Sequence, residues 1–209
     1  MFYPKLKNLI QDARIKEEYT IQELLEYFGE STIIIGILFV TIITSLPLPP
    51  WGGGFESIPS GILCIFFSIQ GLINREYLYL PESISTYTIN VKTVSESEYI
   101  DKMFDFIDRY IVERNLYVFN GFTKILFYCL VILNSLLMII PIIFTNVLPS
   151  LCITMMSLLW LLGDGIYFIL SLGISVFVFL FYLLLGMFFY KWLYRNRRYW
   201  SFGLFGQSK

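Results

Sequence analysis

Four polar side chains set among apolar stretches are the positions at which this sequence could do chemistry: Arg75, Asp164, Gln70 and Asn146. Arg75 and Asp164 carry opposite charges and stand at the ends of two similar apolar segments. Charges near membrane depth are costly and tend to pair, so the two would form a shared polar site if the segments pack together. The competing reading leaves each at the water interface, with Asp164 capping the segment that follows it. Gln70 sits inside its segment, where it would hydrogen-bond to the other half of the chain for about 1 kcal/mol or touch a solute. Asn146 directly precedes an apolar run and is expected to cap it, whereas Asn134, in mid-segment, suits an interhelical hydrogen bond.

The prolines are more informative. Pro47, Pro49, Pro59, Pro141 and Pro149 interrupt or open apolar runs, and Gly165 closes a Gly163-Asp164-Gly165 break. Backbone groups freed by such breaks cannot face lipid unsatisfied, so these turns belong at the water interface, in the protein interior or along a wet cavity. No nucleophile–base pair, phosphate loop or metal-ligand cluster is present. The chain has 0 histidines, which removes the commonest metal ligand and the default general base. Its 3 cysteines, Cys64, Cys129 and Cys152, lie inside apolar runs at spacings that fit neither a zinc site nor a disulfide framework. The expectation is a non-enzyme with no catalytic residue, no metal and no cofactor.

The elements that would hold these residues are membrane segments. Of 209 residues, 56% are hydrophobic and 15% charged, and the mean hydropathy is +0.67. Soluble domains carry about 25% charged residues, and one this apolar would expose patches that soluble monomers rarely tolerate. The net charge of −1 gives no pull toward nucleic acid, and none is expected as a partner. Residues 1–29 are dense in charge and lack the apolar core of a secretory signal.

Residues 4–18 show helical apolar spacing with lysines and arginines around it, which suits a helix lying on the membrane surface. Thr20 and Glu23 form a capping-box signature for a second helix that Gly29 can close. Apolar segments follow at 31–46, 58–73, 125–140 and 147–162, and only the fifth, 166–190, reaches full spanning length before a collar of aromatic and basic residues. Residues 77–98 read as a polar extramembrane connection, and 100–111 as another interfacial amphipathic helix.

The chain also resembles itself. Ile58-Pro59-Ser60 corresponds to Leu148-Pro149-Ser150, after which Asn74-Arg75 falls opposite Asp164-Gly165 with no gap, and the run ending at Pro47 corresponds to the one ending at Pro141. The expected architecture is therefore a single all-α integral membrane domain with an internal two-fold repeat of proline-broken hairpins. Repeat 1 covers about 20–76, the connection 77–99, repeat 2 about 100–165, and a long transmembrane helix with its basic collar 166–209. Such repeats often underlie transport folds, with sites at broken helices. Basic residues occur in the N-terminal tail, the middle connection and the C-terminal collar, and positive-inside would place all three in the cytoplasm. Five full crossings contradict that. Re-entry of the segments at 58–73 and 147–162, which would set the halves in opposite orientation, leaves the basic regions still divided.

The ordered set Leu46-Pro47-Leu48-Pro49, Ile58-Pro59, Gln70, Asn74-Arg75 and Leu80-Pro81 resembles the first half of the ExoD family of bacterial membrane proteins. The second half, with Ile140-Pro141, Asn146-Val147-Leu148-Pro149, Asp164-Gly165 and Gly173, is closer still. The likeness runs from about Tyr27 to Leu185. The chain departs from the family pattern in its glycine-rich loop after Pro50 and in Tyr77-Leu78-Tyr79, where the family tends to carry a Trp. The resemblance implies a multi-pass protein of the bacterial inner membrane, a role in exopolysaccharide production and tolerance of alkaline conditions; it implies no particular reaction. Two functions are expected on these grounds: a permease for a small ion or solute, or a non-catalytic membrane partner of polysaccharide synthesis or export proteins. A homodimer in the lipid bilayer is compatible with either.

Overall fold

The computed structural model describes residues 2–12, 18–45, 57–90, 102, 105, 115–140 and 146–204. The turns at Pro47, Pro49 and Pro141 and most of the amphipathic stretch at 100–111 lie outside these residues. Helix α1 (Phe2–Asp12) begins the chain and β1 (Glu18–Thr20) follows. Helix α2 (Ile21–Phe28) starts at the expected capping box: Thr20 Oγ1 accepts from the Glu23 N–H at 3.1 Å, and Glu23 Oε2 accepts from the Thr20 N–H at 2.9 Å. Gly29, at φ 58, closes it in a conformation that costs glycine least. Helix α3 (Ser31–Ser45) then leaves at 116° to α2.

Helix α4 (Ser57–Leu72) carries Pro59 in its first turn, where the missing N–H would have had no helical partner. It ends at Asn74, whose φ of 56 is a turn that asparagine tolerates. The connection is more ordered than its polarity suggests. Leu78 enters the core at 5% exposure, α5 (Glu82–Ser85) follows, and β2 (Thr88–Asn90) pairs antiparallel with β1 in the register Tyr19↔Ile89. Nothing in the residue pattern announces this ribbon, because strands of three residues, Glu18–Thr20 and Thr88–Asn90, are too short to show a period.

Helix α6 (Gly121–Ile139) opens with a reciprocal cap between Asn120 and Thr123. It corrects an expectation. The apolar run beginning at Ile125 is short, but Gly121 to Lys124 join the helix ahead of it, so α6 with 19 residues is long and apolar enough to cross a membrane. Helix α7 (Val147–Leu162) has 16 residues and ends at Gly163, φ 77. Helix α8 (Gly165–Leu204) has 40 residues, about 60 Å at 1.5 Å per residue, and continues through the aromatic and basic collar. Among the described residues two helices, α6 and α8, are thus of spanning length, or three spans if α2 and α3 count as one bent span.

Helix α3 packs on α7 and on α4, α4 packs on α6, and α8 lies against α7 and α6. Ser45, at the end of α3, meets Ser150, in the first turn of α7, while Ser57, the first residue of α4, meets Asn146. Both hairpins therefore run in the same direction with their tips together. The opposite orientation weighed from the charge pattern is not adopted, because the connection returns the chain to the end at which α3 began. The core is apolar and closely packed around Ile33, Ile37, Phe127, Val131, Ile153 and Met156, none above 1% exposed. The outer surface is just as apolar: Phe39, Phe177 and Phe188 are about two-thirds exposed, which suits lipid as the surrounding medium. The chain is a membrane protein.

Candidate functional site

Two features stand out, a cavity at the connection end and a set of polar groups buried between the helices. The cavity, of about 490 Å³, lies where α1, the α2–α3 turn, the start of α6 and the end of α7 converge. Its charged walls are Lys5, Glu30 and Lys124; Phe28, Tyr128 and Trp160 supply aromatic surface. Lys124 Nζ donates to Glu30 Oε2 at 2.8 Å and to Asn74 Oδ1 at 3.0 Å, joining α6 to the turn before α3 and to the end of α4. Its side chain is 18% exposed against 58% for Glu30, so the lysine is held and the carboxylate is free to move. Lys5 donates to the Tyr27 carbonyl at 3.2 Å. Beneath, Trp160 is set by rings of Phe119, Phe127 and Phe168 with centroids 5.1–5.4 Å away.

The interior polar groups divide into two classes. Thr41, Thr44 and Ser45 return their hydroxyls to carbonyls of the preceding turn in α3, the usual answer to an apolar environment. Others bridge helices: the hydroxyls of Ser45 and Ser150 meet at 3.1 Å, Asn146 Nδ2 donates to Ser57 at 2.6 Å, and Asn134 Nδ2 donates to Ser175 on α8 at 2.9 Å. A further group has no hydrogen-bond partner among the described residues: the hydroxyls of Ser68 and Ser157, Gln70 Nε2 and Asn134 Oδ1; the Ser135 hydroxyl faces the Cys64 thiol across the α4–α6 contact. Leaving such a group buried and unpaired costs about 1–3 kcal/mol.

The four candidate residues are not brought to one place. Arg75 is exposed and makes no ion pair with Asp164. Asp164 is 1% exposed and caps α8, its Oδ1 accepting from the N–H groups of Ile166 at 3.2 Å and Tyr167 at 3.3 Å. Gln70 holds its own half: its Oε1 accepts from the Tyr79 N–H at 2.7 Å, tying the connection back onto α4. Asn146 makes no side-chain cap on α7; it reaches across to Ser57 at the start of α4. Asn134 does bridge helices, but its partner is on α8. Lys124 and Glu30 were not singled out by sequence reasoning, since each looks like an ordinary charge flanking an apolar segment. Among the described residues no group of three or more His, Cys, Asp or Glu could hold a metal ion.

A model of the family described as "Exopolysaccharide synthesis, ExoD" matches residues 4–184. No curated protein and no solved structure matches the chain.

Proposed function

The chain belongs to the ExoD family, whose description ties it to exopolysaccharide synthesis, and on that premise we propose that it is a multi-pass inner-membrane permease for a small ion or solute. Traffic of this kind would support polysaccharide production and alkaline tolerance. The observation that carries the reading is the set of unpartnered buried groups on Ser68, Gln70, Asn134 and Ser157. In a bundle surrounded by lipid, hydroxyls of this kind normally turn back onto the helix, as those of α3 do. Polar groups kept free inside a membrane bundle are costly and mark solute or ion pathways.

The helix pairing supports a duplicated origin. An axis that exchanges α3 with α6 and α4 with α7 turns the α3–α7 contact into the α6–α4 contact, and both contacts occur. Because the hairpin tips lie together, this axis would run along the bundle, the parallel form of repeat found in some transporters. The small residues Gly61, Cys64, Ser68 and Gly71 on α4 bring that helix close to α6.

The test is flux in liposomes. Wild-type protein should pass a small ion or solute that empty liposomes retain, and the Ser68→Val and Ser157→Val variants should cut that flux several-fold. Removing an unpaired hydroxyl should also stabilise the fold slightly, by about 1 kcal/mol. Flux unchanged in both folded variants, or absent from wild type across protons, alkali cations and small neutral solutes, contradicts the reading.

A further inference from the structure

We propose that the cavity at the connection end is a binding site for a phosphate-bearing anion, a phosphomonoester or phosphodiester. Two ammonium groups, Lys5 and Lys124, line it against a single carboxylate, Glu30. Ser31, the first residue of α3, lines the same side, while the Thr32 and Ile33 N–H groups that follow are already taken by the Gly29 and Glu30 carbonyls. Phosphate oxygens match this pair of lysine donors.

The held state of Lys124 shows how the site would work. Glu30 engages the Lys124 ammonium at 2.8 Å and Asn74 steadies it at 3.0 Å. Glu30 is much the more exposed partner, so an incoming phosphate displaces the carboxylate outward while Asn74 keeps the ammonium in place. The aromatic wall of Phe28, Tyr128 and Trp160 and the cavity's volume of about 490 Å³ leave room for an ester substituent beyond the phosphate itself. Two sources offer this chemistry: the headgroup of an anionic lipid, which the position of α1 and α2 beside the cavity would favour, and a free phosphate ester from water.

The experiment measures equilibrium binding to the full-length protein in phosphatidylcholine nanodiscs, so it stands apart from any flux result. One arm titrates inorganic phosphate; the other incorporates phosphatidic acid. Saturable binding in either arm is expected, the arm identifying the source, and it should weaken with salt. Lys124→Gln should weaken it about tenfold or more, the loss of one charge-assisted contact. Lys5→Gln, at an exposed position that leaves the bundle intact, should weaken it in the same direction. Glu30→Gln should tighten binding several-fold, because the competitor is gone. Absence of saturable binding in both arms, binding indifferent to Lys5→Gln and Lys124→Gln, or weaker binding in Glu30→Gln would each overturn the assignment.

Discussion

Asp164 shows what a single residue can and cannot announce. A carboxylate between two glycines ahead of a long apolar run signals both a helix cap and a membrane charge, and the structure uses it as a cap. Asp164→Asn keeps a side-chain oxygen for the Ile166 and Tyr167 N–H groups and should unfold in detergent within about 0.5 kcal/mol of wild type. Asp164→Ala removes the acceptor and should lose about 1–2 kcal/mol, the ordinary cost of an absent cap. Equal loss in both would instead point to a role for the charge. The capping boxes at Thr20 and Asn120 are both local, but only the first was legible, because Glu23 fits the Ser/Thr-x-x-Glu signature and Thr123 does not. The partners of Gln70 and Asn146 were not, since residue type says that a side chain needs a hydrogen bond and only the fold says where it goes. Lys124 and Glu30 were invisible for the same reason: 94 residues separate them, and no spacing rule reaches that far.

For the helices, periodicity and breaks placed α2, α3, α4, α7 and the start of α8 within a few residues, because long apolar runs bounded by proline, glycine and polar clusters admit little else; α8 itself continues past the expected end at 190 to Leu204. How the helices pair is decided by surface relief. Gly71 lies under the Tyr128 ring so closely that an added Cβ would fall 2.1 Å from Cζ. At Gly61 the same atom would meet the Ser135 carbonyl oxygen at 2.9 Å. Gly71→Ala should therefore force α4 and α6 apart and destabilise the protein by about 1–3 kcal/mol, the range for overpacking a filled core. Gly173→Ala, on α8 where nothing lies within 4 Å of the new atom, is the matched control and should be near neutral. Thermal unfolding of both variants in detergent checks the pair, and an unaffected Gly71→Ala would contradict the observed α4–α6 contact. The α1 boundary and the β1–β2 ribbon escaped sequence reading because both are short and their residues serve a surface as readily as a strand.

At the scale of the molecule, composition alone placed the chain in a membrane, and the exposed phenylalanines and leucines of α3, α6 and α8 agree with it. Hairpin direction was beyond the sequence, since charge counts constrain sides and not packing. With both tips at one end and α8 starting at the other, the bundle has a charged cavity at its connection end and a serine- and asparagine-lined tip. Between them lie the unpartnered hydroxyls on which the permease reading rests. Its central claim is that water or a small solute reaches those groups. The most direct measurement places single cysteines at Ser68 and Ser157 in a protein whose three native cysteines are replaced, reconstitutes each in liposomes, and follows their reaction with a small charged methanethiosulfonate. The account predicts modification at both positions well above the rate at Ile37, which is buried in apolar surroundings at 0% exposure. Rates no faster than at Ile37, in variants that remain folded, would show the seam to be dry and the permease reading to be wrong.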